Sequence, residues 1–136
     1  MKKFLFCTIV TMTLMGVLFC NGQPPKKATP SSATPKVEAY YFHLSVRCVT
    51  CKTVEAEAKK SLEALYGAKV SFQAVNLEDA ANKALAEKLK ISGQTLLIVS
   101  GNRNINLTNE GFLYAVNNPE KFKSILKEKV DGLLKL

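Results

Sequence analysis

The residues of this chain best suited to covalent chemistry are two cysteines three positions apart, Cys48 and Cys51, in the stretch SVRCVTCKTVE (residues 45–55). At that spacing two thiols can cycle between dithiol and disulfide, supply two thiolates to copper(I) or half of a tetrahedral zinc site, or pack as small apolar residues. A cycling pair needs one exposed sulfur held as a thiolate and a second within reach to resolve the mixed disulfide. A helix that starts at the pair would meet both needs, because its unpaired backbone N–H groups favour an anion. With Arg47 adding positive charge, Cys48 becomes the expected attacking thiol and Cys51, one turn deeper, the resolving thiol. His43, the single histidine of the chain, is a candidate proton acceptor or loop-orienting residue, with a strand-end structural role as the plainer reading. For a metal the ligand supply is thin, since His43 is the one histidine and Cys7 and Cys20 fall in the N-terminal segment. Lys52 follows the second cysteine where covalent haem attachment needs histidine.

The elements that must position this pair read as follows. VEAYYFHL (residues 37–44) is rich in Val and aromatics, apolar on both faces, and so a central buried strand, with Tyr40, Tyr41 and Phe42 as core. From Cys48 to Tyr66 the residues Val54, Ala58, Leu62 and Leu65 keep helical spacing, Glu55, Glu57, Lys59 and Lys60 take the outer face, and Gly67 terminates. KVSFQAVN (69–76) alternates Val70, Phe72 and Ala74 against Ser71, Gln73 and Val75 as a second strand. Glu78 and Asp79 open a helix carrying Ala81, Leu85 and Leu89 inward. TLLIVS (95–100) is a third strand, with a turn into a weaker fourth around Ile105 and Leu107. After an irregular stretch, Asn118 caps a last helix with Pro119 first and Phe122, Ile125, Leu126, Val130 and Leu133 on one stripe. Helices between early strands imply parallel pairing, and the late short turn an antiparallel hairpin. The expected class is α/β, βαβαββα, a mixed sheet of about four strands with helices on both faces and the first strand in the middle.

Lys2 and Lys3 lead into an apolar run from Phe4 to about Phe19, which reads as an export signal over residues 1–22 and implies an exported, periplasmic or outer-envelope protein. A single-span anchor is the alternative, but the run is short for a bilayer. Cys20 gives two processing routes, a lipid-modified cysteine or ordinary cleavage after Gly22. Residues 21–36 hold four of the five prolines, among Ser, Thr and Lys; from residue 23 to 36 this is a linker, and 37–136 remains as one small domain. Without Lys2 and Lys3, 17 cations face 11 acids, a net charge of +6. They are dispersed without an aromatic-basic cluster, which argues against nucleic acid. An exported pair can meet an oxidising compartment, where disulfides persist and cycle.

C-x-x-C directly after the first strand, opening the first helix, resembles thioredoxins over about residues 37–134. The local wording agrees: CVTCK for their C-x-x-C-K, VSFQAVNLED for their second core strand, ISGQTLLIVSGN for their I-x-G-x-P-T strand and hairpin. The chain also resembles small exported thioredoxin-like proteins labelled nitrophenyl-compound nitroreductase subunit, although it carries no flavin or nicotinamide fingerprint. What the resemblance implies is a monomeric thiol-disulfide oxidoreductase needing no cofactor, reducing protein disulfides and recharged by a membrane electron donor. The alternative is a module that uses the same loop to bind copper, zinc or a partner protein. Two departures stand out. Gln94 precedes Thr95 where thioredoxins have a cis-proline facing the cysteines, so Gln94 and Thr95 are expected beside the site with a trans linkage. Residues 39–42 lack the buried strand carboxylate that many thioredoxins use as proton acceptor, leaving His43 as the nearest titratable group.

Overall fold

The computed structural model describes residues 37–135. The expected export signal (1–22) and linker (23–36) lie outside the described residues. Four strands, β1 (Val37–His43), β2 (Val70–Asn76), β3 (Thr95–Ser100) and β4 (Arg103–Asn106), form one sheet in the order β2-β1-β3-β4. β1 therefore runs down the middle. It pairs parallel with β2, from Val37 opposite Val70 to His43 opposite Asn76, and antiparallel with β3, from Glu38 opposite Val99 to Phe42 opposite Thr95. β3 and β4 close the sheet as an antiparallel hairpin. The order and directions are those of a thioredoxin-like mixed sheet.

Four helices cover it: α1 (Val49–Tyr66), α2 (Lys83–Lys88), α3 (Thr108–Tyr114) and α4 (Pro119–Leu134). The pleat divides each central strand between two cores. Val37, Ala39 and Tyr41 of β1 and Leu96 and Ile98 of β3 meet Val54, Ala58 and Leu62 of α1 and Phe122, Leu126, Val130 and Leu133 of α4. On the other face Phe42, Leu97 and Val99 meet Val75 and Ala86, with Leu85, Leu89 and Ile91 partly buried around them. This two-sided burial is why β1 and β3 read as continuous apolar runs. Helix ends follow the expected chemistry. Gly67 ends α1 at φ 52°, a left-handed conformation open to glycine, and the Asn118 side chain accepts from Lys121 N at 3.1 Å ahead of Pro119.

Three local expectations are corrected. The stretch after β4 is helical: α3 packs where Gly111 lets it close on α1, a Cβ there meeting Val54 Cγ1 at 2.8 Å. Val75, assigned to the polar side of β2, is fully buried in the second core, while Ala74 is exposed. The second helix starts later than Glu78. A 3-10 turn (Ala80–Asn82) capped by Asp79 precedes α2, and Ala81 is exposed rather than inward. No described helix is long and apolar enough to cross a membrane.

Candidate active site: a disulfide at a helix start

Cys48 is the N-cap of α1 and Cys51 its third residue, so the pair closes the first turn of the helix. The N-cap backbone is extended (φ −72°, ψ 166°), which frees the sulfur to turn back and accept from Cys51 N–H at 3.2 Å. Cys48 is thus held by one of the donors that every helix leaves unpaired at its start. The two sulfurs are bonded as a disulfide. Their exposures are opposite: Cys48 is exposed, whereas Cys51 keeps 6 % of its surface. Around Cys48 the chain shows an apolar collar to solvent, with Val46 92 %, Val49 82 % and Leu44 46 % exposed.

The loop before Cys48 is fixed from β2. Ser45 N–H donates to Glu78 Oε2 at 2.7 Å, Asn76 Nδ2 donates to Ser45 Oγ at 3.0 Å, and Leu77 N–H donates to the His43 carbonyl at 2.8 Å. The bonds from Ser45 hold the Glu78 carboxyl below its ordinary range. The sequence points to Glu78 only as a helix-opening acid and to Asn76 only as a strand end. The "NLED" exit of β2 looked like helix-opening acids, and nothing local shows that it reaches a loop 33 residues earlier in the chain.

Beneath Cys51 lies a ring of hydrogen bonds that the sequence located only in part. Tyr41 Oη donates to the Cys51 carbonyl at 2.9 Å, Gln94 Nε2 donates to Tyr41 Oη at 2.5 Å, and Gln94 Oε1 lies 3.4 Å from Cys51 Sγ. Register explains the meeting. Phe42 pairs with Thr95, so the residue before β3 falls against the carboxyl end of β1. Gln94 therefore faces the cysteines as expected, and every described peptide bond, Gly93–Gln94 included, is trans. Burial pushes the Tyr41 phenol up, and the Gln94 hydrogen bond opposes that shift without reversing it. The expected core place of Tyr41 agrees with its fully buried ring. Its hydroxyl is the polar group under the pair, a role hidden in a run of aromatics.

Three expected neighbours are placed differently. The Arg47 guanidinium is turned onto Glu55, with both side chains about a fifth exposed (22 % and 23 %), so a carboxylate offsets its charge. Stabilisation of an anion at Cys48 then falls to the helix N–H groups. His43 donates from Nδ1 to its own neighbour's carbonyl, Leu44 O, at 2.9 Å, and Tyr41, not His43, is the titratable side chain bonded to the cysteine turn. Thr95 is buried and its Oγ1 donates to Gly93 O at 3.0 Å, so it fastens the turn carrying Gln94 without bonding either cysteine. Among the described residues no group of three or more His, Cys, Asp or Glu is gathered to hold a metal.

No family model matches the chain, and a search of curated proteins finds no match. Among solved structures, it is similar to a crystal structure of thioredoxin from Wuchereria bancrofti, at 16 % identity over 71 % of this chain and 83 % of that one, with a TM-score of 0.46. It is also similar to a malarial protein, at 23 % identity over 51 % of this chain and 74 % of the other, with a TM-score of 0.41. The thioredoxin-like fold assigned here rests on the chain's own strand order and directions, with a closely spaced cysteine pair where the first strand passes into the first helix.

Proposed function

We propose that the protein is a thiol-disulfide oxidoreductase of the cell envelope that reduces disulfides in other proteins. The observation that carries this is the asymmetry of the pair: an exposed sulfur that accepts the first-turn N–H of Cys51 and a shielded sulfur bonded to it from behind. In the dithiol, Cys48 is the thiolate, because the Cys51 N–H and the helix dipole favour a negative sulfur there. It attacks one sulfur of a substrate disulfide; a Cys48–substrate S–S bond forms, and the other substrate sulfur leaves as a thiolate that takes a proton. Cys51 then gives up its proton to solvent and attacks Cys48, closing the internal disulfide and releasing the second substrate sulfur as a thiolate, which takes up a proton. Two electrons pass from the pair to the substrate, and a dithiol or membrane electron donor must return them. No cofactor enters these steps.

A protein substrate is favoured by the collar of Val46, Val49 and Leu44, which offers apolar contact around the attacking sulfur. The apolar run after Lys2 and Lys3 supports an envelope location, with Cys20 as the candidate for a lipid anchor.

Trapping tests the reading. In the full-length chain, Cys51→Ser should accumulate mixed disulfides mapped to Cys48 by peptide mass spectrometry, whereas Cys48→Ser should accumulate none and should not reduce an insulin-type disulfide. Equal alkylation rates at the two cysteines, with no trapped species in Cys51→Ser, would falsify it. Metal carriage predicts a third pattern, in which either substitution abolishes copper or zinc binding equally and no disulfide-linked partner forms.

A further inference from the structure

We infer that Tyr41 and Gln94 act together as a positioning device that keeps the Cys51 sulfur protonated in the dithiol. The inference rests on the oxidoreductase reading and assigns the control of its resolving step. Donor and acceptor capacities around the ring fix its polarity. The Cys51 carbonyl, 2.9 Å from Tyr41 Oη, can only accept, so the Tyr41 hydroxyl spends its one proton there. Its oxygen is then left as an acceptor, and at 2.5 Å it must face the NH2 end of Gln94. The other end of the amide, Oε1, consequently points at Cys51 Sγ, 3.4 Å away. An amide oxygen can receive an S–H proton but offers only lone pairs to a thiolate. The ring therefore accepts Cys51 as S–H and opposes it as S⁻. Cys51 is 6 % exposed, so little water is at hand to reverse that preference.

The two sulfurs are thereby driven apart by hydrogen-bond direction: an N–H points at Cys48 and a carbonyl-type oxygen at Cys51. The expected consequence is a resolving step that speeds up with pH, and mixed disulfides that outlast those of a pair whose second thiol ionises freely.

The test isolates Cys51 in the full-length chain by Cys48→Ser, a substitution that keeps a side-chain oxygen able to cap the helix. Alkylation is followed across pH at the Cys51 peptide by mass spectrometry, so that Cys7 and Cys20 do not contribute. The readout is the midpoint of the pH profile; a change in accessibility alters the rate plateau and leaves the midpoint where it is. The midpoint should lie above the free-thiol value of about 8.5. Adding Tyr41→Phe releases the amide to turn its NH2 toward the sulfur, and the thiolate fraction near neutral pH should rise about threefold or more. In a Gln94→Leu background the same Tyr41→Phe change should leave the midpoint unmoved, because the amide that relays it is gone. A midpoint at or below about 8.5, or a Tyr41→Phe effect of equal size with and without Gln94, overturns the inference. A failure to reduce disulfides, in contrast, overturns the oxidoreductase reading and leaves these midpoints measurable, so the two failures are distinguishable.

Discussion

Tyr41 and Phe42 are consecutive in β1 and both fully buried, yet they enter different cores. Tyr41 points to the face covered by α1, α3 and α4, among buried residues from α1 and α4, from β1, β2 and β3, and from Leu107 and Ala115 at the two ends of α3. Phe42 points to the face covered by the single short helix α2, where Leu85 and the capping Leu89 are only partly buried. The reactive pair stands at the end of the thick face. A helix start that must hold two sulfurs, an amide and a phenol in register needs a helix that cannot shift, and α1 has α3 and α4 packed against it. The thin face has a different task, since Asn76 at the end of β2 and Glu78 just after it tether the loop before Cys48.

The largest expected effect is a test of that contrast. Leu126→Ala, removing a fully buried α4 side chain, should cost about 2–5 kcal/mol, whereas Leu85→Ala on the thin face should cost about 1 kcal/mol. Denaturant titration of the two variants checks the ratio; equal losses would mean the faces share the load. Gly111→Ala comes next. The added Cβ would meet Val54 Cγ1 at 2.8 Å, so overpacking should cost about 1–3 kcal/mol. Combining it with Val54→Ala should give a total below the sum of the two single losses, because the methyl in the way is then absent. An additive pair would show that α3 does not rest on α1 at that point.

The smallest effect separates the faces by pH. On the thick face Asp131 takes bonds from Lys127 Nζ at 2.6 Å and Tyr66 Oη at 2.7 Å, and on the thin side Glu78 takes one from Ser45; each carboxyl is held below its ordinary value. A depressed folded value contributes stability that is complete above the unfolded value and lost as pH falls through the folded one. Stability should therefore fall as the pH drops below the unfolded carboxylate range of about 3.9–4.3. Asp131→Asn and Glu78→Gln should each flatten that drop, and only Glu78→Gln should also speed alkylation of Cys48 by loosening its loop. Equal alkylation in both variants would remove Glu78 from the site.

Much of this was legible beforehand for a local reason. The stripe Phe122, Leu126, Val130, Leu133 behind Asn118 and Pro119 carries helix, cap and buried face within one segment, and each is as expected. Cys48 and Cys51 at the start of α1 follow equally from the apolar strand before them and the helical spacing after them. Segments whose character depends on a neighbour read less well. α3 is seven residues long with a glycine inside, too short for a period and poor in propensity, and it is helical where Gly111 admits close packing on Val54. Val75 sits at a position that alternation called polar, on the face of β2 that packs against Phe42, Leu97 and Ala86, while Ala74 on the opposite face is exposed.

By itself the sequence determined the periodicities, the caps and the C-x-x-C spacing, because each depends on residues a few positions apart and on backbone geometry that is the same in every helix and strand. Tertiary structure alone decided what surrounds each sulfur. Glu55 came to offset Arg47, Tyr41 rather than His43 came under Cys51, and Gln94, 43 positions from Cys51 in the chain, turned its amide oxygen toward the sulfur. The physical reason is that hydrogen-bond direction is settled by which groups the pairing of β1 with β3 and the docking of α1 bring within about 3 Å, and no local pattern encodes a distance between strands.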